Sequence, residues 1–95
     1  MKWMEFIKIQ TASSDVAVKM LALIEQYKEC QDLLEIIVFR HASVDDCLLC
    51  LRWNTDSPKP RGSSVGFMLS NTLKQYGLVD HAVWIEKETI EEKAS

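Results

Sequence analysis

Hydrophobic residues alternate with polar ones, or run almost without interruption, along four short segments of the chain. Residues 3–11, 33–41, 46–54 and 78–86 are rich in aromatic and β-branched side chains and are bounded by polar turns. Side chains of these types favour the pleated, half-buried surface of a β-sheet. The pattern therefore predicts four β-strands.

Two stretches between these segments have the spacing of an amphipathic α-helix. Residues 13–15 (Ser-Ser-Asp) offer an N-cap for the first helix, and a loop over residues 55–62 leads to a Ser63 or Ser64 cap for the second. The expected buried stripes are Val16, Met20, Leu23, Ile24 and Tyr27 in the first helix, and Val65, Met68, Leu69, Thr72 and Tyr76 in the second. Gly77 stands where a left-handed glycine commonly ends a helix.

The resulting order of elements is β-α-β-β-α-β. This is the order of the ferredoxin-like α+β fold, which has a four-stranded antiparallel sheet with both helices on one face. At 95 residues, the chain is expected to form one such domain over residues 1–88, followed by a charged tail over residues 89–95.

The central hairpin predicts that both faces of the sheet are apolar. A four-residue connection over residues 42–45 would pair His41 with Asp46, Phe39 with Leu48, Ile37 with Cys50 and Glu35 with Arg52. The other face would carry Leu34, Ile36, Val38 and Arg40 against Trp53, Leu51, Leu49 and Cys47. Two helices cover only one face, so a second copy of the chain is expected to cover the other, and the protein to be a homodimer through its sheet. Folding of residues 86–95 back over the sheet is the weaker alternative, because Ile90 is the one large apolar residue there.

Cys47 and Cys50 form a Cys-x-x-Cys pair, which raises the alternatives of a redox site and a metal site. Residues three apart on a strand point to opposite faces, so the two sulfurs are expected to face away from each other. With Cys30 they make an odd number of cysteines, which suits free thiols in a reducing compartment. We therefore interpret the pair as small buried hydrophobic residues and expect no metal site.

Charge and hydropathy argue against two classes of partner. The formal net charge of −3 gives no basic field for a nucleic-acid backbone. No apolar run approaches the roughly 20 residues needed to cross a bilayer, and Glu5 falls where a signal peptide would begin its apolar stretch. The protein is expected to be cytoplasmic, with neither nucleic acid nor membrane as a partner.

The element order, the two-sided apolar sheet and the closing Gly-Leu-Val-Asp-His-Ala-Val-Trp over residues 77–84 resemble a known superfamily. Over residues 3–86 the chain is similar to the dimeric α/β-barrel proteins, which include the antibiotic-biosynthesis monooxygenases. The resemblance implies that two sheets pair into a barrel and that each subunit holds a ligand pocket between its sheet and helices. Known chemistry in the superfamily includes cofactor-independent oxidation to quinones, haem breakdown and chlorite dismutation.

The haem-degrading branch of that superfamily uses an Asn on the first strand, together with a Trp and a His. The first predicted strand here has no Asn. The haem-related roles are therefore not carried over to Trp53 and His81, and no cofactor is expected.

His41 and His81 are the candidate catalytic residues, because histidine is the side chain whose charge changes near neutral pH. Both are predicted at strand ends, so a solvated or hydrogen-bonded edge histidine is the competing interpretation. The candidate pocket for a small apolar or aromatic ligand consists of Trp53, Trp84, Tyr27, Tyr76 and Arg52. The tryptophans could equally be core or interface residues, and Arg52 could pair with Glu35 across the hairpin.

Two functions remain open at this level. The first is a homodimeric small-molecule-binding protein that resembles the cofactor-independent monooxygenases. The alternative is a non-catalytic dimeric module that binds a ligand or another protein, because the sequence contains no convincing acid–base pair.

Overall fold

The computed structural model describes residues 1–11 and 13–91 and contains the predicted elements in the predicted order. The elements are β1 (Lys2–Gln10), α1 (Val16–Ile24), β2 (Leu33–Arg40), β3 (Cys47–Asn54), α2 (Ser64–Leu73) and β4 (Leu78–Ile85), with a 3₁₀ turn at Glu25–Tyr27 after α1. The strands form one antiparallel sheet in the order β2-β3-β1-β4. The ferredoxin-like α+β fold is therefore confirmed. Residues 92–95 of the expected tail lie outside the described residues.

The core lies between the sheet and the two helices. On the helix-covered face, the buried side chains of the two central strands are Trp3, Glu5, Ile7 and Ile9 in β1 and Cys47, Leu49, Leu51 and Trp53 in β3. Val16 and Met20 of α1, with Leu69 and Leu73 of α2, close over them. Each fully buried aliphatic side chain contributes about 1.5–3 kcal/mol to folding, so this layer supplies most of the driving force.

The β2–β3 hairpin has the predicted register along most of its length. Glu35 lies opposite Arg52, and the Ile37–Cys50 and Phe39–Leu48 pairs follow. The register shifts between Leu33 and Glu35, so that Leu33 lies opposite Trp53 where Leu34 was expected. An irregularity of this kind leaves no signal in the alternation of residue types.

The buried face of α2 differs from the predicted stripe. Ser63 caps the helix, and the buried residues are Gly66, Leu69, Ser70 and Leu73. Met68 is 55% exposed. The helix turns its small residues inward because Gly66 lies directly against the buried Glu5 carboxylate, where a larger side chain would collide.

Gly77 is needed for a different reason from the predicted one. Gly62 is the glycine with a positive φ in the described chain, so Gly77 does not form a left-handed cap. A Cβ at Gly77 would collide with the backbone carbonyl of Gln10. Glycine therefore allows the chain entering β4 to pass close to the end of β1.

Both helices cover one face of the sheet, and the opposite face is apolar and open. The apolar side chains of this open face are Met4, Phe6, Ile37, Phe39, Leu48, Cys50, Ala82 and Trp84, and the charged residues Lys8, Glu35, Arg52 and Asp80 lie on the same face. Phe39 is 45% exposed and Trp84 is 63% exposed, whereas Cys50 at the centre is only 3% exposed. The prediction of a sheet with two apolar faces is confirmed.

Candidate functional site

A buried carboxylate, Glu5, lies at the centre of the helix-covered face. Its side chain is 0% exposed, and its two oxygens contact three donors and one ring nitrogen of His81. Oε1 accepts from the backbone N–H of Ser63 at 2.8 Å and contacts Nε2 of His81 at 2.9 Å. Oε2 accepts from Nε1 of Trp53 at 2.7 Å and from Oγ of Ser63 at 2.5 Å. These contacts surround both oxygens, so the desolvation cost of a buried carboxylate is offset.

Strand pairing explains how three elements meet at Glu5. Leu51 of β3 and Val83 of β4 lie directly opposite Glu5 in the two neighbouring strands. Trp53 and His81 are each two residues from these positions, so they are the diagonal neighbours of Glu5 on the same face. Diagonal neighbours with long side chains are within reach of each other, which brings the indole and the imidazole to one carboxylate.

The start of α2 completes this group, which we call the Glu5 cluster: Glu5, Trp53, Ser63 and His81. The hydroxyl oxygen of Ser63 accepts from the backbone N–H of Gly66 at 3.0 Å, which leaves its hydrogen free for Glu5. A carboxylate beside a helix N-terminus also interacts favourably with the helix dipole. Ser63 thus links the helix cap to the buried charge.

Two glycines permit this close approach. Gly62 has φ of 99°, in the left-handed region, and a Cβ there would collide with the His81 ring. A Cβ at Gly66 would collide with the Glu5 carboxylate. The backbone at the start of α2 therefore packs directly against Glu5 and His81 of the Glu5 cluster.

The two nitrogens of His81 have different surroundings. Nε2 faces Glu5, and no residue in the described part of the chain hydrogen-bonds to Nδ1. Among the described residues, Ser70 Oγ is the one side-chain polar atom that is both buried and without a hydrogen-bond partner. Nδ1 of His81 also lacks a partner, so it is not buried but reached by solvent. The 16% exposure of the His81 side chain agrees with this.

His41, the other candidate, lies in a simpler environment. It is exposed, its backbone N–H donates to the carbonyl of Asp46 at 2.8 Å, and its Nδ1 accepts from the backbone N–H of Ser43 at 3.0 Å. These contacts stabilise the turn between β2 and β3.

A cleft of about 280 Å³, which we call the tryptophan cleft, lies beside the Glu5 cluster. Trp3 and Trp53 line it with the small part of their side chains that is exposed, 2% and 5%, and their rings stack with 5.7 Å between centroids and 19° between planes. Ser63, Ser64 and Val65 at the start of α2 also line it, and Asp32 and Lys59 bring charged groups to it. The cleft thus combines an apolar aromatic surface with polar groups.

The structure does not bring the five predicted pocket residues together. Trp53 lines the tryptophan cleft, but the other four do not. Trp84 and Arg52 lie on the open face of the sheet, where Arg52 pairs with Glu35. Tyr27 is half-buried in the 3₁₀ turn after α1. Tyr76 precedes Gly77 at the far end of β1 and has Lys19 Nζ 4.8 Å from its ring centroid.

A second cleft, of about 350 Å³, lies at the β2–β3 turn and includes Lys8, Phe39, His41 and Leu48. It is the larger of the two. It adjoins the open face, however, so a second copy on that face would reshape it. The tryptophan cleft lies on the helix-covered side, independent of any such contact, and is the better candidate for a ligand site within one chain.

The cysteines take the places predicted from strand alternation. Cys47 lies in the core and Cys50 on the open face, and all three thiols are free. Burial raises the pKa of Cys47 and of Cys50. Within residues 1–11 and 13–91 no cluster of His, Cys, Asp or Glu side chains is arranged to hold a metal ion. In the same part of the chain, no helix has the length and apolar character needed to cross a bilayer.

Sequence reasoning missed Glu5 and Ser63 as members of the site. The alternation in β1 carried a signal, because Glu5 falls on the same face as Trp3, Ile7 and Ile9. An acid in that position is buried and must have partners. The partners themselves are distant, since Ser63 is 58 residues and His81 is 76 residues away.

Comparison with known proteins places this arrangement in a structural context. No family model and no curated protein sequence matches the chain. Two solved structures do match. The Rv0793 protein of Mycobacterium tuberculosis has a TM-score of 0.69 at 13% identity, covering 96% of this chain and all of that one. A candidate antibiotic biosynthesis monooxygenase from Deinococcus radiodurans has a TM-score of 0.68 at 11% identity, covering 99% of this chain and all of that one. The resemblance to the antibiotic-biosynthesis-monooxygenase-like proteins is therefore confirmed at the level of the fold.

Proposed function

We propose that the protein is a homodimeric small-molecule-binding protein of the monooxygenase-like kind. Each copy would hold a small apolar or aromatic ligand in its tryptophan cleft. The observation that carries the proposal is that cleft, whose volume of about 280 Å³ lies near the lower end of the range for ligand pockets. A compound of one or two rings fits this size.

The chemistry of the cleft supports an aromatic ligand. The N–H groups of both indoles are already used, Trp3 with Thr55 at 2.8 Å and Trp53 with Glu5 at 2.7 Å. The exposed parts of the two rings therefore offer apolar surface with no unmet hydrogen bond. Lys59 at the margin offers a cation for a carboxylate or phenolate on the ligand.

The open face supports the dimer. Contiguous apolar surface of this kind on a small protein commonly marks an interface. A second copy that places its own open face against the first would cover Phe39 and Trp84, and it would produce the paired-sheet barrel of the superfamily that the chain resembles. Free thiols at Cys30, Cys47 and Cys50 support a cytoplasmic location.

Binding of 2-naphthoate, followed by tryptophan fluorescence and calorimetry, tests the cleft. Ser64→Phe places a ring in the cleft and should weaken binding at least tenfold. The matched control is Ser43→Phe, an exposed serine in the β2–β3 turn that does not line the cleft, and it should bind as the wild type does. Equal affinity for all three proteins, or no binding by the wild type, contradicts the proposal.

Native mass spectrometry of the freshly purified protein tests the rest of the proposal. It is expected to show a dimer that carries a retained small molecule. Turnover of that molecule indicates an enzyme. Binding without turnover indicates the alternative, a dimeric ligand-binding module with no reaction.

A further inference from the structure

We propose that His81 and Glu5 form an acid–base pair in which Nδ1 of His81 takes a proton from a small organic compound. The compound would carry a weakly acidic C–H or O–H bond, as enolisable carbonyl compounds and phenols do. Glu5 is the positioning residue. His81 does not line the tryptophan cleft, so this pair and the proposed ligand cleft can fail separately.

Three hydrogen bonds other than the contact with His81 are donated to the Glu5 carboxylate. The N–H of Trp53 and the N–H of Ser63 can only donate. The Ser63 hydroxyl, which accepts from Gly66, donates its own hydrogen to Glu5 as well. Hydrogen bonds from three donors stabilise the charged form of a carboxylate.

The contact with Glu5 determines the tautomer of His81. A carboxylate accepts hydrogen bonds, so the 2.9 Å contact with Oε1 requires a proton on Nε2. In the neutral ring the other nitrogen, Nδ1, then carries a lone pair. This atom has no partner among the described residues and is reached by solvent. The nitrogen that is free to accept a proton is the one that faces outward.

Glu5 lies where it can stabilise the positive charge that proton transfer creates on His81. When Nδ1 takes a proton, the substrate becomes an anion and the ring becomes an imidazolium with its Nε2–H still on Glu5. Of the carboxylates in the described chain, Glu5 is the one within 4 Å of a ring nitrogen of His81. A fixed anion that orients a histidine and stabilises its imidazolium form is the role of the acid in catalytic triads.

His41 shows what an unassisted histidine looks like in the same protein. Its Nδ1 already accepts a backbone N–H, and no carboxylate of the described residues contacts its ring within salt-bridge distance. It is therefore the matched control for His81.

The tautomer of His81 is tested first, by long-range ¹⁵N–¹H NMR at pH 8. The expected spectrum shows His81 with its proton on Nε2. His41→Asn should leave this pattern unchanged. Glu5→Gln should weaken the preference for Nε2–H, because an amide can donate to the ring as well as accept from it. A wild-type spectrum with the proton on Nδ1 overturns the proposal without any variant.

Proton abstraction is tested next with 5-nitrobenzisoxazole as a probe. Removal of its ring C–H proton forms a nitrile, breaks the N–O bond and releases a coloured phenolate, so no oxidant or cofactor is needed. A positioned base commonly contributes about a hundredfold or more. We expect His81→Asn to lose at least tenfold of the protein-dependent rate, Glu5→Gln to lose a comparable amount, and His41→Asn to retain it.

Three outcomes contradict the proposal. A wild-type rate no greater than that of His81→Asn excludes His81 as the base. An unchanged rate and tautomer in folded Glu5→Gln exclude Glu5 as the positioning residue. Loss of the rate in His41→Asn assigns the chemistry to the exposed histidine.

If Glu5→Gln does not fold, Ser63→Ala replaces it. That change removes one donor to Glu5, and recovery of the rate in Ser63→Thr, which restores the hydroxyl, separates positioning from general destabilisation.

Discussion

Replacement of Glu5 by Gln is the change that most directly measures what the buried cluster contributes to folding. Gln has nearly the same shape but presents one acceptor oxygen and one NH₂ donor where Glu5 presents two acceptors. If the NH₂ group takes the place of Oε2, the Ser63 hydroxyl can turn to accept from it, but the N–H of Trp53 cannot. If it takes the place of Oε1, His81 can change tautomer, but the backbone N–H of Ser63 cannot.

Either orientation therefore leaves one buried N–H without an acceptor. Such a group costs about 1–3 kcal/mol, and the remaining hydrogen bonds lose the strengthening that the charge provides. We expect a total loss of about 2–5 kcal/mol in the free energy of unfolding. For a domain of this size this is a large share of the whole, since such domains are stable by roughly 5–15 kcal/mol.

Urea denaturation at fixed protein concentration, followed by circular dichroism, measures this loss. The control is Glu25→Gln, which removes an exposed carboxylate paired with Lys28 at 3.3 Å and should cost no more than about 1 kcal/mol. A folded Glu5→Gln protein within 1 kcal/mol of the wild type would refute the account of the cluster. Should that protein be unfolded, Ser63→Ala, expected to cost about 1–2 kcal/mol, provides the same comparison.

Three further predictions follow from the contacts and the burial of other residues in the structure. Gly66→Ala, which in an ordinary helix stabilises by up to about 1 kcal/mol, should destabilise here because its Cβ would collide with Glu5; a higher urea midpoint would contradict this. Ellman's reagent at pH 8 should modify half-buried Cys30 quickly and reach Cys47 and Cys50 only on unfolding; three equally fast thiols would contradict the described burial. Burial raises the pKa of Cys47 and Cys50 in the folded state, so the unfolded chain ionises first and stability should fall as the pH rises above roughly 8.5. Urea midpoints between pH 8 and pH 10.5 should show this decline, and Cys47→Ala should reduce its slope.

The sheet could be predicted from the sequence because its information is local. Alternation of side chains and a four-residue connection were enough to place Phe39 opposite Leu48 and Ile37 opposite Cys50. The shift between Leu33 and Glu35 was missed, since Leu34 satisfies the alternation as well as Leu33 does. Both residues are leucines, so nothing in their chemistry distinguishes the two registers.

The site was harder to predict because its information is spread along the chain. His81 and Trp53 could be named as reactive or aromatic residues, but what connects them is Glu5, whose one signal in the sequence is its place on the apolar face of β1. The buried face of α2 was misplaced for the same reason. Hydrophobicity favours Met68, whereas packing against Glu5 requires Gly66. A helix that packs against a buried charged side chain needs small residues at the contact, and the hydrophobic pattern of its sequence does not show that requirement.

Sedimentation velocity tests most directly the claim that a second copy covers the open face. The mass obtained for the wild type is expected to be twice that of the 10.9 kDa chain. The mass obtained for Phe6→Lys, a change on the open face, is expected to be that of a single chain. Phe67→Lys, a matched change at an exposed phenylalanine of α2, should remain a dimer. A wild type that stays a single chain at high concentration, or a dimer that Phe67→Lys dissociates and Phe6→Lys does not, would contradict the account.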